Sequence, residues 1–228
     1  AEAFNRATQR IYVAEQTQWD GTWCLLLTQR LDKAEREYLK RELAWMGFGA
    51  LAQDVFAHPN IVASELAPVL ARAGVLNRVI VINGEIDREL GDADLASTLE
   101  KAWPLTELAR AYEAFVARFE PFSLALAARQ LIADEDAFVL RTFLVHEYRK
   151  IILRDPGLPT ELLPTTWPGH RAFQLIVALY QVVLEPAERY IAAHFVNSSG
   201  EWPSLQPTFF DRFGGLVLPT AESKGHST

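Results

Sequence analysis

The sequence predicts an α+β protein in two parts, a βαββαβ unit followed by an all-helical half. Short apolar runs bounded by turn residues, WCLLL (23–27) and VIVI (79–82), read as buried strands. Between them lie stretches with helical start and stop signals. Beyond Asp92 the β-branched runs give way to long segments with apolar residues three and four apart, the period of packed helices.

The elements follow in order. AEAFNRATQRIY places Phe4, Ala7 and Ile11 on one helix face, so residues 1–18 are expected to be a linker helix, entered part-way along a longer protein. Trp19-Asp20-Gly21 is a turn, and WCLLLT is the first strand. Asp32 and Glu35 have the spacing of a capping box; Leu39, Leu43 and Met46 mark the buried face of the helix they open, and Gly47 stands where a left-handed cap belongs. FGALAQDVF (48–56) is expected to be a strand and His58-Pro59-Asn60 a turn. SELAPVLARAG (64–74) reads as a helix capped by Ser64 and closed by Gly74, with Pro68 tolerable only near its first turn. NRVIVINGEI then supplies a strand that ends at Asn83-Gly84.

The helical half is expected to hold helices at 93–103 (stopped by Pro104), 106–119 (capped by Thr106), 122–132, 136–153 and 169–194, the last interrupted at Pro186. An irregular aromatic segment, SLQPTFFDRFGGL, closes the fold. Residues 217–228 are expected to be a disordered tail, which gives domains at 19–91 and 92–216.

Composition narrows the function. Half of the 228 residues are apolar, enough for a substantial core, and the net charge of -7 argues against a nucleic-acid surface on this chain. A lone cysteine, Cys24, sits inside an apolar run, so it reads as a core residue of a protein in a reducing, cytoplasmic compartment. The best apolar run, FQLIVALYQVVL, is short for a bilayer span. In a cytosolic chain the Asn197-Ser198-Ser199 sequon has no meaning.

The motifs are mostly structural. GFGALA (47–52) fits a dinucleotide fingerprint, but it follows a helix where the fingerprint needs a strand, so its glycines read as cap and turn. HEYRK opens as a zinc peptidase helix does, yet the fifth residue is Lys150 and not histidine, and neither a metal site nor a cofactor is expected. Asp134-Glu135-Asp136 suits a helix N-terminus, and Asp155-Pro156-Gly157 suits a turn. The helix at 136–153 is apolar all round, with His146, Arg149 and Lys150 on one face and Arg141 and Tyr148 on another. Cations on an enclosed helix need partners. Those partners are either Glu147, Glu161 and Asp155 or an anionic ligand.

WDGTWCLLL (19–27), ELAWMGFGALA (42–52), HEYRKIILRDPGLPTELLPTTWPGH (146–170) and FFDRFGGL (209–216) together resemble the PaaX family of transcriptional repressors of phenylacetate degradation. The likeness spans nearly the whole chain. It implies a ferredoxin-like middle domain, a helical C-terminal domain and a homodimer whose affinity for DNA is lowered by an aryl-acetyl-CoA such as phenylacetyl-CoA. The family's N-terminal winged-helix domain is missing from this chain, so DNA contact is expected outside it. A related nuclease fold carries an aspartate at the end of its first strand, where this chain has Thr28-Gln29; no enzyme is expected and no residue is assigned as catalytic. For a CoA thioester, Arg149, Lys150, Arg154 and Arg171 are the expected phosphate contacts, with His146, Tyr148, Trp167, His170 and Tyr180 completing the effector site. The alternative is an enzyme acting on an acyl-CoA or a phosphorylated small molecule with His146 or His170 as base.

Overall fold

The computed structural model describes residues 8, 10–12, 19–59, 61, 63–87, 95–128, 131–195 and 207–216. The expected tail at 217–228, the sequon and most of 1–18 lie outside them. The chain divides into two compact units, one of 16–110 with 154–167 and the other of 1–15, 111–153 and 168–228.

The first unit carries the sheet: β1 (Thr22–Leu27), α1 (Lys33–Trp45), β2 (Gly49–Ala52), β3 (Val55–Pro59), α2 (Ala63–Arg72) and β4 (Ile80–Glu85), then α3 (Leu95–Ala102). The strand order is β2-β3-β1-β4, with every neighbouring pair antiparallel. Alternation along β1 decides what each face buries. Cys24 and Leu26 share a core with Leu39 and Leu43 of α1, Phe56 of β3, and Leu66 and Leu70 of α2. On the other face Trp23 meets Trp19 edge-on at 5.4 Å and Trp103 at 6.3 Å. Burial pushes the Cys24 thiol up, as suits a core residue.

The local signals around α1 act as read. Asp32 and Glu35 complete a reciprocal capping box. At the other end Gly47 has φ 92°, Gly47 N–H donates to Ala44 O and Phe48 N–H donates to Leu43 O. This is a Schellman ending, which engages the first glycine of GFGALA. Gly49 is not in a turn; it opens β2, and its missing side chain leaves room for the Trp103 ring.

Two strand expectations change. FGALAQDVF is a hairpin, β2 and β3 joined through Gln53 and Asp54, and His58-Pro59 lies within β3. The turn is held from outside: Thr28, fully buried just beyond β1, donates its N–H to Asp54 O at 2.9 Å, and Arg36 sits 2.8 Å from Asp54 Oδ1. In α2, Pro68 lies in the second turn rather than the first, and Gly74 follows with φ 69°.

The second unit holds most of α4 (Leu105–Ala127), with α5 (Asp134–Ile152), α6 (Gly169–His194), the short α7 (Pro207–Phe210) and a turn at Arg212–Gly214. The two helices expected at 106–119 and 122–132 are one: α4 runs through Pro121, where Ala117 and Pro121 both face solvent and water can satisfy the carbonyl left without a donor. Thr106 is not a cap, because the helix begins at Leu105 and the Thr106 N–H is taken by the Glu100 carboxylate. Likewise α6 continues through a buried Pro186. Helices α5 and α6 pack on each other with Leu140, Leu144 and Ile151 facing inward from one and Ile176, Leu179 and Val183 from the other.

Candidate functional site

The nine residues expected around an effector are divided between the units. His146, Tyr148, Arg149, Lys150, His170, Arg171 and Tyr180 belong to the helical unit, Arg154 and Trp167 to the sheet unit.

The expectation that α5 is enclosed is overturned. Phe143 is 58% exposed and Val139 43%, and His146, Arg149 and Lys150 all face solvent. An apolar all-round sequence implied burial, but only the stripe from Ala137 through Leu140, Leu144 and Tyr148 to Ile151 is covered, at the three and four spacing of one helix face. The cations therefore need no internal partners, although one carboxylate collects two of them. Glu147 lies 2.9 Å from both Lys150 Nζ and Arg118, and the Lys150 ammonium beside it holds its carboxyl below the usual carboxylate range. His146 Nε2 stands 4.0 Å from the same carboxylate, too far for a hydrogen bond. Arg149 makes no ion pair among the described residues. His170 and Arg171 are exposed on the first turn of α6, where Arg171 pairs with Glu120.

The aromatic members sit inside. Tyr148 is buried against Tyr112 and Phe115 of α4. Tyr180 belongs to a cluster that the sequence reading did not foresee. Its hydroxyl accepts from Arg212 at 3.4 Å and its ring lies 5.0 Å from Phe213, which also meets Tyr12 edge-on at 5.1 Å. The Arg212 guanidinium stacks 4.3 Å over Tyr12 and 4.5 Å over Phe209. Burial pushes the Tyr180 phenol up, against the pull of Arg141 and Arg212. Phe213 adopts a left-handed φ of 55°, which costs a bulky residue about 1–2 kcal/mol, offset by burial of its ring. The signal was present in FFDRFGGL, whose paired glycines release the chain after Phe213, at φ 83° and 115°.

In the sheet unit Arg154 reaches Glu107 at 3.8 Å, with both side chains well exposed, while Trp167 is buried. Asp155 accepts from Gly157 N–H in the turn that the sequence indicates. Among the described residues no group of three or more His, Cys, Asp or Glu is placed to hold a metal ion, and no helix is long and apolar enough to cross a membrane.

Two family models match successive stretches of the chain. A family model for the PaaX protein central Cas2-like domain matches residues 16–96, and one for the PaaX-like protein C-terminal domain matches 103–193. The transcriptional repressor PaaX of Escherichia coli (strain K12) is 41% identical over 214 residues, 93% of this chain and 68% of that one. The solved structure of an uncharacterised Mycobacterium tuberculosis protein aligns with a TM-score of 0.54 at 22% identity, over 85% of this chain and 72% of that one, a likeness of fold alone.

Proposed function

The chain belongs to the PaaX family of transcriptional repressors, and on that premise we propose that it is the effector-sensing and dimerisation part of such a repressor, responding to an aryl-acetyl-CoA such as phenylacetyl-CoA. The observation that carries the reading is that likeness to a repressor runs through both the sheet-bearing and the helical matches. In this reading residues 19–91 form a ferredoxin-like domain and 92–216 a helical one. DNA is contacted by a winged-helix domain outside these residues, in the cytoplasm. Strand order and antiparallel pairing support the first assignment.

The effector's phosphates are assigned to Arg149 and Lys150, with His146 beside them on the exposed face of α5 and Arg171 on α6. An ion pair with Glu147 already engages Lys150; Arg149 has none among the described residues, which makes it the stronger anchor. Titration of phenylacetyl-CoA into wild type and into the double variant Arg149→Ala/Lys150→Ala, followed by calorimetry, is expected to show affinity falling by about tenfold or more. Equal affinities would remove the phosphates from α5. Release of free CoA in a thiol assay would favour an acyl-CoA enzyme instead.

Dimerisation is assigned to β4. This edge strand is exposed along its whole length, with Ile80, Val81 and Ile82 between 42% and 51% accessible. A free edge of β-branched residues invites another strand, and a second copy of β4 meets it antiparallel with a two-fold axis near Ile82. Light scattering is expected to give a dimer for wild type at micromolar concentration and a monomer for Ile82→Lys, since lysine on an edge blocks pairing. A dimer that survives the substitution would move the interface elsewhere.

A further inference from the structure

A concave feature lies in the sheet-bearing unit, lined by none of the residues assigned above to the effector or to the dimer. Helix α1 and the edge strand β2 enclose a groove of about 540 Å³, within the size range of small-molecule sites. Lys33, Arg36 and Lys40 line one wall. Their spacing of three and four puts them on one helix face, spread over roughly 10 Å of axis. Ala50, Ala52 and Phe56 form the opposite side, where two methyl groups stand in place of larger side chains and leave the space open.

The charges in the groove are unequally committed. Arg36 Nε lies 2.8 Å from Asp54 Oδ1 as an ion pair without hydrogen-bond alignment, and Nη2 donates to Leu31 O at 3.0 Å, which leaves Nη1. Lys33 and Lys40 make no ion pair among the described residues, and Glu37 is the one carboxylate in the lining. Counting Asp54 with that lining, three cations face two carboxylates, an excess of one positive charge. At the start of α1 the capping box takes up the N–H groups of Asp32 and Glu35, and the cations proposed to hold the ligand are side chains spread along the helix rather than its end.

We propose that this groove binds a small organic phosphate, its phosphoryl oxygens held by Lys33, Arg36 and Lys40 and its apolar body laid on Ala50, Ala52 and Phe56. A phosphomonoester suits the lining better than a carboxylate. It offers three acceptor oxygens and up to two negative charges to three separated donors, and Gln53 at the rim supplies an amide for the ester side. The site does not depend on the effector reading, since it uses no residue of α5 or α6.

Phenyl phosphate and inorganic phosphate are the two probes, titrated by calorimetry into the intact chain at low ionic strength. Saturable binding with a Kd on the order of 1 mM or tighter is expected for phenyl phosphate, and binding several-fold weaker for inorganic phosphate, which lacks the ring. Lys33→Ala/Lys40→Ala is expected to weaken both by about tenfold, as loss of two charge-assisted contacts requires. These exposed helix positions tolerate alanine, so folding is preserved. Ala50→Leu, which fills the floor and removes no charge, is expected to bring phenyl phosphate down to the level of inorganic phosphate. No saturable binding, affinities unchanged in the lysine variant, or no preference for the phenyl ester would each overturn the proposal.

Discussion

Trp103→Ala is expected to cost the sheet-bearing unit about 4 kcal/mol or more, the largest loss from any single aromatic in it. The ring is 3% exposed, and removing a buried tryptophan typically costs about 3–5 kcal/mol in transfer and cavity terms. Its Nε1 also donates to Gly47 O at 2.8 Å, and that buried carbonyl loses its partner at a further cost of about 1–3 kcal/mol unless water enters. Domains are stable by only about 5–15 kcal/mol, so the variant should unfold near physiological temperature. Gly49 supplies the control. A Cβ built there lies 2.5 Å from the Trp103 ring, so Gly49→Ala is expected to destabilise wild type by about 1–3 kcal/mol and to be close to neutral once the ring is gone. Urea denaturation of the four proteins measures the cycle. A Trp103→Ala loss under about 1 kcal/mol, or additive effects of the two substitutions, would show that the ring is not seated on β2.

The same indole marks the limit of what the sequence discloses. Helix α1 could be read end to end because its signals are local: Asp32, Glu35 and Gly47 act through neighbours three to five residues away. Strand β1 was likewise legible as a buried apolar stretch between turns, whereas the VIVI run forms a strand that is exposed and continues through Asn83-Gly84 to Glu85, not the buried one expected. Trp103, by contrast, binds a carbonyl 56 residues earlier, and no local pattern announces that partner. The hairpin within 48–56 went unread for a related reason. Its turn contains neither glycine nor proline, and the groups holding it, Thr28 and Arg36, come from other elements. Composition also misled at α5. An apolar residue at nearly every angle implied enclosure, yet Phe143 and Val139 face solvent, so the cations that seemed to demand a ligand are largely solvated. The candidate effector site was therefore legible as a list of residue types, and less so as a place. Pairings such as Arg212 with Tyr12 and Phe209 arise only once the C-terminal turn folds back on the helical unit.

Within that unit the cation most dependent on its partner is Arg141, and its removal is the second large effect expected. Arg141 on α5 lies 2.5 Å from Glu188 on α6, with side-chain exposures of 11% and 18%, the most enclosed ion pair among the described residues. Taking two charges out of water is costly, and their attraction roughly repays it only while both are present. Arg141→Met is therefore expected to lose about 3 kcal/mol, because it strands the Glu188 carboxylate between two packed helices. The double variant Arg141→Met/Glu188→Met restores an apolar contact across the same helix pair. It is expected to return to within about 1 kcal/mol of wild type, which chemical denaturation of all four proteins would read as a coupling energy. Arg141 also stands 6.0 Å over the Tyr180 ring, so it borders one of the residues that the sequence led us to expect at an effector site. If this arginine were held in reserve for an anionic effector, Arg141→Met would leave stability nearly intact and weaken phenylacetyl-CoA binding. The geometry calls for the reverse, a marked loss of stability relieved by the second substitution.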